Sequence, residues 1–181
     1  DTTLVSGAVG ATGLKAVAVA PATGVTATFG GAYNATTTTH SGAGTVAFSS
    51  TVGAVVVSDI DISGGGTVTI AGVVGGSGAS DVDNTGTTGT GTLTLGAGLA
   101  FTGNIGAGNP LATVNLDSTG NHTITGTVAA TTINVAGTGT TTFTNNDVTG
   151  IVNFTAASTV SVTIDEKIVG SVTTSADGQG T

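Results

Sequence analysis

The sequence predicts an all-β chain folded as a parallel β-solenoid, with roughly 19–22 residues per coil. Three observations lead there. Asn115, Asn134 and Asn153 recur 19 residues apart (134 − 115 and 153 − 134), each inside an alternating segment: Val114-Asn115-Leu116, Ile133-Asn134-Val135 and Val152-Asn153-Phe154. A second ladder keeps the same step: Thr123-Ile124-Thr125, Thr142-Phe143-Thr144 and Ser161-Val162-Thr163. Composition is the third. The 181 residues include 32 Gly, five Phe and one Tyr, with no Cys, Met or Trp. Stiff, β-branched Val, Thr and Ile dominate the remainder and suit a pleated surface.

Near the N-terminus, residues 8–22 contain Gly10, Gly13 and Pro21, which argues against a helix. Within them Lys15-Ala16-Val17-Ala18-Val19-Ala20 alternates small and branched side chains, a strand pattern. Strand signals then follow at Gly44-Thr45-Val46-Ala47-Phe48, Gly66-Thr67-Val68-Thr69-Ile70 and Gly91-Thr92-Leu93-Thr94-Leu95. Insertions between them, at residues 75–78 and 84–91, fall where corners belong, as in solenoids whose loops vary on a constant core. Residues 112–130, 131–149 and 150–168 form three regular coils. Their apolar columns are Val114/Ile133/Val152, Leu116/Val135/Phe154 and Ile124/Phe143/Val162. Strand side chains alternate between faces, so these nine point inward and the Asn and Thr columns outward. Asn115, Asn134 and Asn153 thus read as a structural ladder, amides stacked along the rod. Val169-Gly170-Ser171-Val172-Thr173 opens a further coil. The whole of 1–181 reads as one solenoid segment, expected to be part of a longer surface protein.

Charged residues are 7 % of the chain and the net charge is −8, with Lys15 and Lys167 the only cations. Two lysines cannot neutralise a phosphate backbone, so nucleic acid is not an expected partner. Docking to an anionic membrane fails for the same reason. No run of 18 apolar residues is present, and no direct membrane insertion by a helix is expected. The chain opens on Asp1-Thr2-Thr3 and reads as a mature or excised extracellular segment.

With these ladders, the chain resembles the β-helical passenger segments of bacterial autotransporters and surface-layer proteins, and among them the rickettsial outer-membrane surface antigens. The segments that carry the resemblance are Gly66-Thr67-Val68-Thr69-Ile70, Asn121-His122-Thr123-Ile124-Thr125-Gly126-Thr127-Val128 and Gly150-Ile151-Val152-Asn153-Phe154-Thr155. The resemblance spans roughly residues 44–172. It implies an exported, right-handed parallel β-helix on the bacterial cell surface that forms a coat or presents adhesive loops. Self-association, a longer parent chain and a host-cell or matrix receptor are the partners it suggests.

Few residues suggest chemistry. Asp59-Ile60-Asp61 and Asp81-Val82-Asp83 each put two carboxylates on one strand face, which makes these four the candidate calcium ligands. Calcium is the only cofactor that the sequence brings into question. Solvated aspartates at corners are the plainer reading. No catalytic residue is assigned: there is no Arg, Tyr33 is the only polar aromatic for a sugar cleft, and His40 and His122 read as exposed and without partners. A carbohydrate-active β-helix with paired carboxylates is the least favoured reading. The Thr columns at 123/142/161 and 125/144/163 raise an ice-binding alternative. Thr67-Val68-Thr69 and Thr92-Leu93-Thr94 fall in the other strand column, so this Thr surface is not expected to stay on one face.

Overall fold

Parallel strands stacked turn upon turn account for the whole described molecule: a β-solenoid of about seven turns with about 21 residues per turn. The computed structural model describes residues 1–49, 55–71, 73–74, 81–96, 98–118, 120–144, 147–162, 167–176, 178 and 180. No helix occurs among them, so none is long and apolar enough to cross a membrane. The ladders seen in the sequence are direct pairings. Val114 pairs with Ile133 and Ile133 with Val152, while Ile124 pairs with Phe143 and Phe143 with Val162. The side chain of Val162 and all of Thr163 lie outside the described residues.

Each turn contributes three strand columns. The first face is built from Thr2–Val5, Thr26–Phe29, Thr45–Phe48, Thr67–Ile70, Thr90–Leu95, Leu111–Ser118, Val128–Gly137, Val148–Phe154 and Val172–Thr174. Two inward columns run its length: Ala27, Val46, Val68, Leu93, Val114, Ile133 and Val152 in one, and Phe29, Phe48, Ile70, Leu95, Leu116, Val135 and Phe154 in the other. The second face stacks Tyr33, Val56, Val74, Phe101, Ile124 and Phe143. The third, not resolved by the sequence reading, stacks Thr38, Ile60, Val82, Ile105, Val128, Val148 and Ile168.

Corners are visible as breaks in side-chain parity. Along Tyr33–His40 the buried residues are Tyr33 and Ala35, then Thr38 and His40, and the pairing register shifts between Asn34 and Thr37. A similar shift between Ala129 and Thr132 turns Val128–Gly137 from the third face onto the first. Gly150 sits at the equivalent bend one turn on, with φ +136°, where a Cβ would collide with the Ala130 carbonyl oxygen.

The core is a narrow column of aliphatic side chains with one aromatic knot. Phe29 and Phe48 stack with centroids 5.5 Å apart, and Tyr33 meets both edge-on at 5.0 and 4.8 Å. Such pairs add about 0.5–1.5 kcal/mol beyond the area they bury. The Tyr33 hydroxyl is satisfied inside the core by Thr38 Oγ1 at 2.7 Å, and Thr38 in turn by Ser58 Oγ at 2.8 Å. At the two ends the inward columns open: Val5 is 39 %, Leu14 42 % and Val172 54 % exposed.

Phe143→Ala and Phe154→Ala are each expected to destabilise the chain by about 3–5 kcal/mol, because a narrow core leaves the cavity unfilled. Asn134→Ala, on the outward side, is expected to lose only about 1 kcal/mol, since water can replace the lost partner. Gly150→Ala should fall with the phenylalanine variants. Urea titration of the four proteins gives the order, and an Asn134→Ala variant weaker than Phe143→Ala would reverse the inward and outward assignment.

Candidate functional site

The four aspartates singled out in the sequence lie together on the outside of the third face. Ile60 and Val82 are buried, which turns their flanking acids outward, and Asp61 pairs directly with Asp83 on the next turn. Asp59 and Asp81 are engaged at the corner between the second and third faces. Asp59 Oδ1 accepts the Asp81 N–H at 3.3 Å, and Asp81 Oδ1 accepts the Asn104 N–H at 2.6 Å. Asn104 Oδ1 accepts the Thr127 N–H at 3.1 Å. Each side chain therefore ties its own turn to the backbone of the next. Asp147 repeats the device with the Lys167 N–H at 3.3 Å, and its other oxygen pairs with Lys167 Nζ at 3.4 Å. That ion pair is exposed and adds little. Asp83 accepts the Gly108 N–H at 3.4 Å. Among the described residues no three acidic or histidine side chains converge as metal ligands. The Gly-rich stretch 75–80, which precedes Asp81 in the sequence, lies outside them.

Electrostatics single out Asp61. Burial, then the Asp83 and Asp59 carboxylates, push its pKa above the ordinary carboxylate value.

The histidines depart from expectation. His40 and His122 are 0 % and 1 % exposed, not surface residues. His40 continues an inward column with Val19 below and Ile62 above, and its parity places it inside. Its Nε2–H donates to the Gly44 carbonyl at 3.1 Å, and Nδ1 has no partner among the described residues. The absence of a side chain at Gly66 makes room for that ring. His122 pairs with Thr141 at the start of the second-face strand. Tyr33 and all five phenylalanines are buried, so no aromatic ring is on the surface to stack on a sugar.

The outside of the first face is the most regular surface. Asn134 Nδ2 donates to Asn115 Oδ1 at 2.9 Å and Asn153 Nδ2 to Asn134 Oδ1 at 3.0 Å. Asn115 Nδ2 extends the chain to Thr94 Oγ1 at 3.3 Å, and the Thr173 hydroxyl donates to Asn153 Oδ1 at 3.2 Å. A shallow groove of about 490 Å³ beside this ladder is lined by Thr94, Asn115, Asn134, Ala136 and Thr155. Parallel to the amides runs a column that the sequence reading missed: Thr2, Thr26, Thr45, Thr67, Thr92, Thr113 and Thr132, each paired with the next. The 19-residue step linked only the last coils. Thr67 and Thr92 fall in the expected strand column, apart from the second-face threonines, but their line was not extended to Thr113 and Thr132, with which they align. On the second face Thr123, Thr142 and Ser161 align, and Thr125 and Thr144 share a hydrogen bond of 3.0 Å.

Asp61→Asn should raise stability at neutral pH. The folded-state pKa lies above the unfolded one, so Asp61 favours the fold fully only below its unfolded pKa. That contribution is lost as pH rises through the folded value. The gain from the amide should therefore vanish in acid, where wild-type Asp61 is protonated. Denaturation midpoints of both proteins at pH 7 and pH 3 test this, and an equal gain at both would assign the effect to something other than charge.

Comparison of the chain with protein-family models, curated proteins and solved structures finds no match.

Proposed function

We propose that the chain is a non-enzymatic structural or adhesive module of a bacterial cell-surface or surface-layer protein, acting outside the cell. The observation that carries this reading is the division of labour along the strands. The inward columns of the first face, from Val46 to Phe154, are held by Val, Ile, Leu and Phe, while outward positions on the first and second faces carry mostly short Thr, Asn and Ser side chains. A sequence so divided builds length and presents faces and corner loops. The burial of every aromatic ring and the engagement of the acidic patch in tying turns together also favour a scaffold over a catalyst. Its partners are a further length of solenoid, other copies, or a host-cell or matrix receptor met by the loops, and the reading invokes no cofactor.

The open ends make self-association testable. Val5, Leu14 and Val172 occupy inward positions and are exposed in the chain as it stands. A further turn of the same chain or a second copy would cover them. Stacking of turns is carried by backbone pairing and apolar contact, so association of the isolated chain should rise with concentration and change little between low and high salt. Chelator should leave it unaltered. Light scattering across salt and chelator series is the measurement. A chain that stays monomeric at high concentration and also fails to retain cells or matrix on a coated surface would overturn the proposal.

A further inference from the structure

The first-face threonine column has hydroxyls that no described residue engages. The amides of the neighbouring column are bonded to one another along the rod. Thr26, Thr45, Thr67, Thr92, Thr113 and Thr132, by contrast, make no side-chain hydrogen bond within the described residues. They stand half-buried in one line, each paired with the threonine of the next turn until Thr132, which pairs with Ile151.

The two outward columns together form a grid. Thr26/Thr28, Thr45/Ala47, Thr67/Thr69, Thr92/Thr94, Thr113/Asn115 and Thr132/Asn134 are successive rows. Rows lie about 4.8 Å apart, and the two columns about 6.7 Å apart along the strand. No row contains a charge, although the chain carries a net charge of −8. Threonine is stiff at χ1 and its neighbours stack against it, so little side-chain freedom remains to be lost when something docks.

Size decides between occupants. From Thr2 to Ile151 the column spans seven steps, which makes the face about 34 Å by 13 Å, or roughly 450 Å². A stable protein interface needs about 800 Å² from each partner. A second copy laid on this face would therefore be held weakly. A periodic, uncharged array of hydroxyls and methyls, bordered by the shallow groove along Thr94, Asn115 and Asn134, instead suits a partner that is periodic itself and present in unlimited amount. We propose that the first face, and not the second, orders water and adsorbs to ice, with Thr67, Thr92, Thr113 and Thr132 at its centre.

The test uses the whole chain in ice-shaping and thermal-hysteresis measurements, with far-UV circular dichroism and the denaturation midpoint as controls for folding. The wild type should facet growing ice crystals and show hysteresis that rises with concentration. Thr92→Tyr and Thr113→Tyr put a bulky ring in the grid and should each reduce the hysteresis severalfold. Thr142→Tyr, the same change on the second face, should leave it unaltered. If the tyrosine variants fail to fold, the triple variant Thr67→Ser, Thr92→Ser, Thr113→Ser keeps the hydroxyls, removes the methyls and should also lose activity. A folded wild type without ice shaping or hysteresis overturns the proposal, as does an equal loss in Thr142→Tyr. Absence of ice activity together with loss of self-association in Thr92→Tyr would assign the face to a second copy.

Discussion

In-register pairing between successive turns is the constraint on which everything else depends. Parallel strands in a solenoid satisfy their backbone groups with the turn above and the turn below, so a residue's neighbours are its counterparts one turn away. Inward, this demands that Val lie on Val and Phe on Phe or Ile, as in Phe29, Phe48 and Ile70. Outward, it places polar groups within reach of their own kind. The asparagine chain, the aspartate corners and the threonine line are three results of one rule, applied to three residue types.

The rule also explains how polar residues are tolerated in a core so thin. Thr38 sits in an otherwise aliphatic column, between Val17 and Ile60. Its hydroxyl is accommodated because Tyr33 and Ser58 come from adjacent positions around the turn and close a hydrogen-bonded chain. Asn84, which pairs with Ile62 below it, is buried by a similar device. It donates to the Thr87 carbonyl at 2.6 Å and accepts the Gly86 N–H at 2.9 Å, so it organises its corner from inside. A buried amide with these partners avoids most of the desolvation penalty that would otherwise fall on it.

What the sequence made legible follows from the same constraint. Where corners keep a constant length, as between Val114, Ile133 and Val152, equal spacing exposes the stack directly, and the inward and outward columns could be assigned. Where corners vary, spacing no longer aligns equivalent positions. Thr67 and Thr92 stand 25 residues apart yet pair, so only the strand pattern, and not equal spacing, carries the column back from Thr113 to Thr67. The third face was invisible for a different reason. Around Ile105 it narrows to single bridges, to Val82 and to Val128, too short for alternation to register. His40 was misplaced because residue type outweighed parity. Its position two residues after Thr38 matches Ile60 and Ile62 one turn on, a signal present in the sequence but readable only once the register is known.

The asparagine ladder gives the rod a direction. Backbone bonds between strands largely cancel as dipoles. The side-chain amides do not: from Asn115 to Thr173 every donor points toward the preceding turn. Aligned bonds polarise one another, so the column adds a net moment along the axis, positive toward the N-terminal turns. Two such rods lying side by side would feel each other's polarity and favour antiparallel alignment, whereas rods joined end to end would add their moments and favour one common sense.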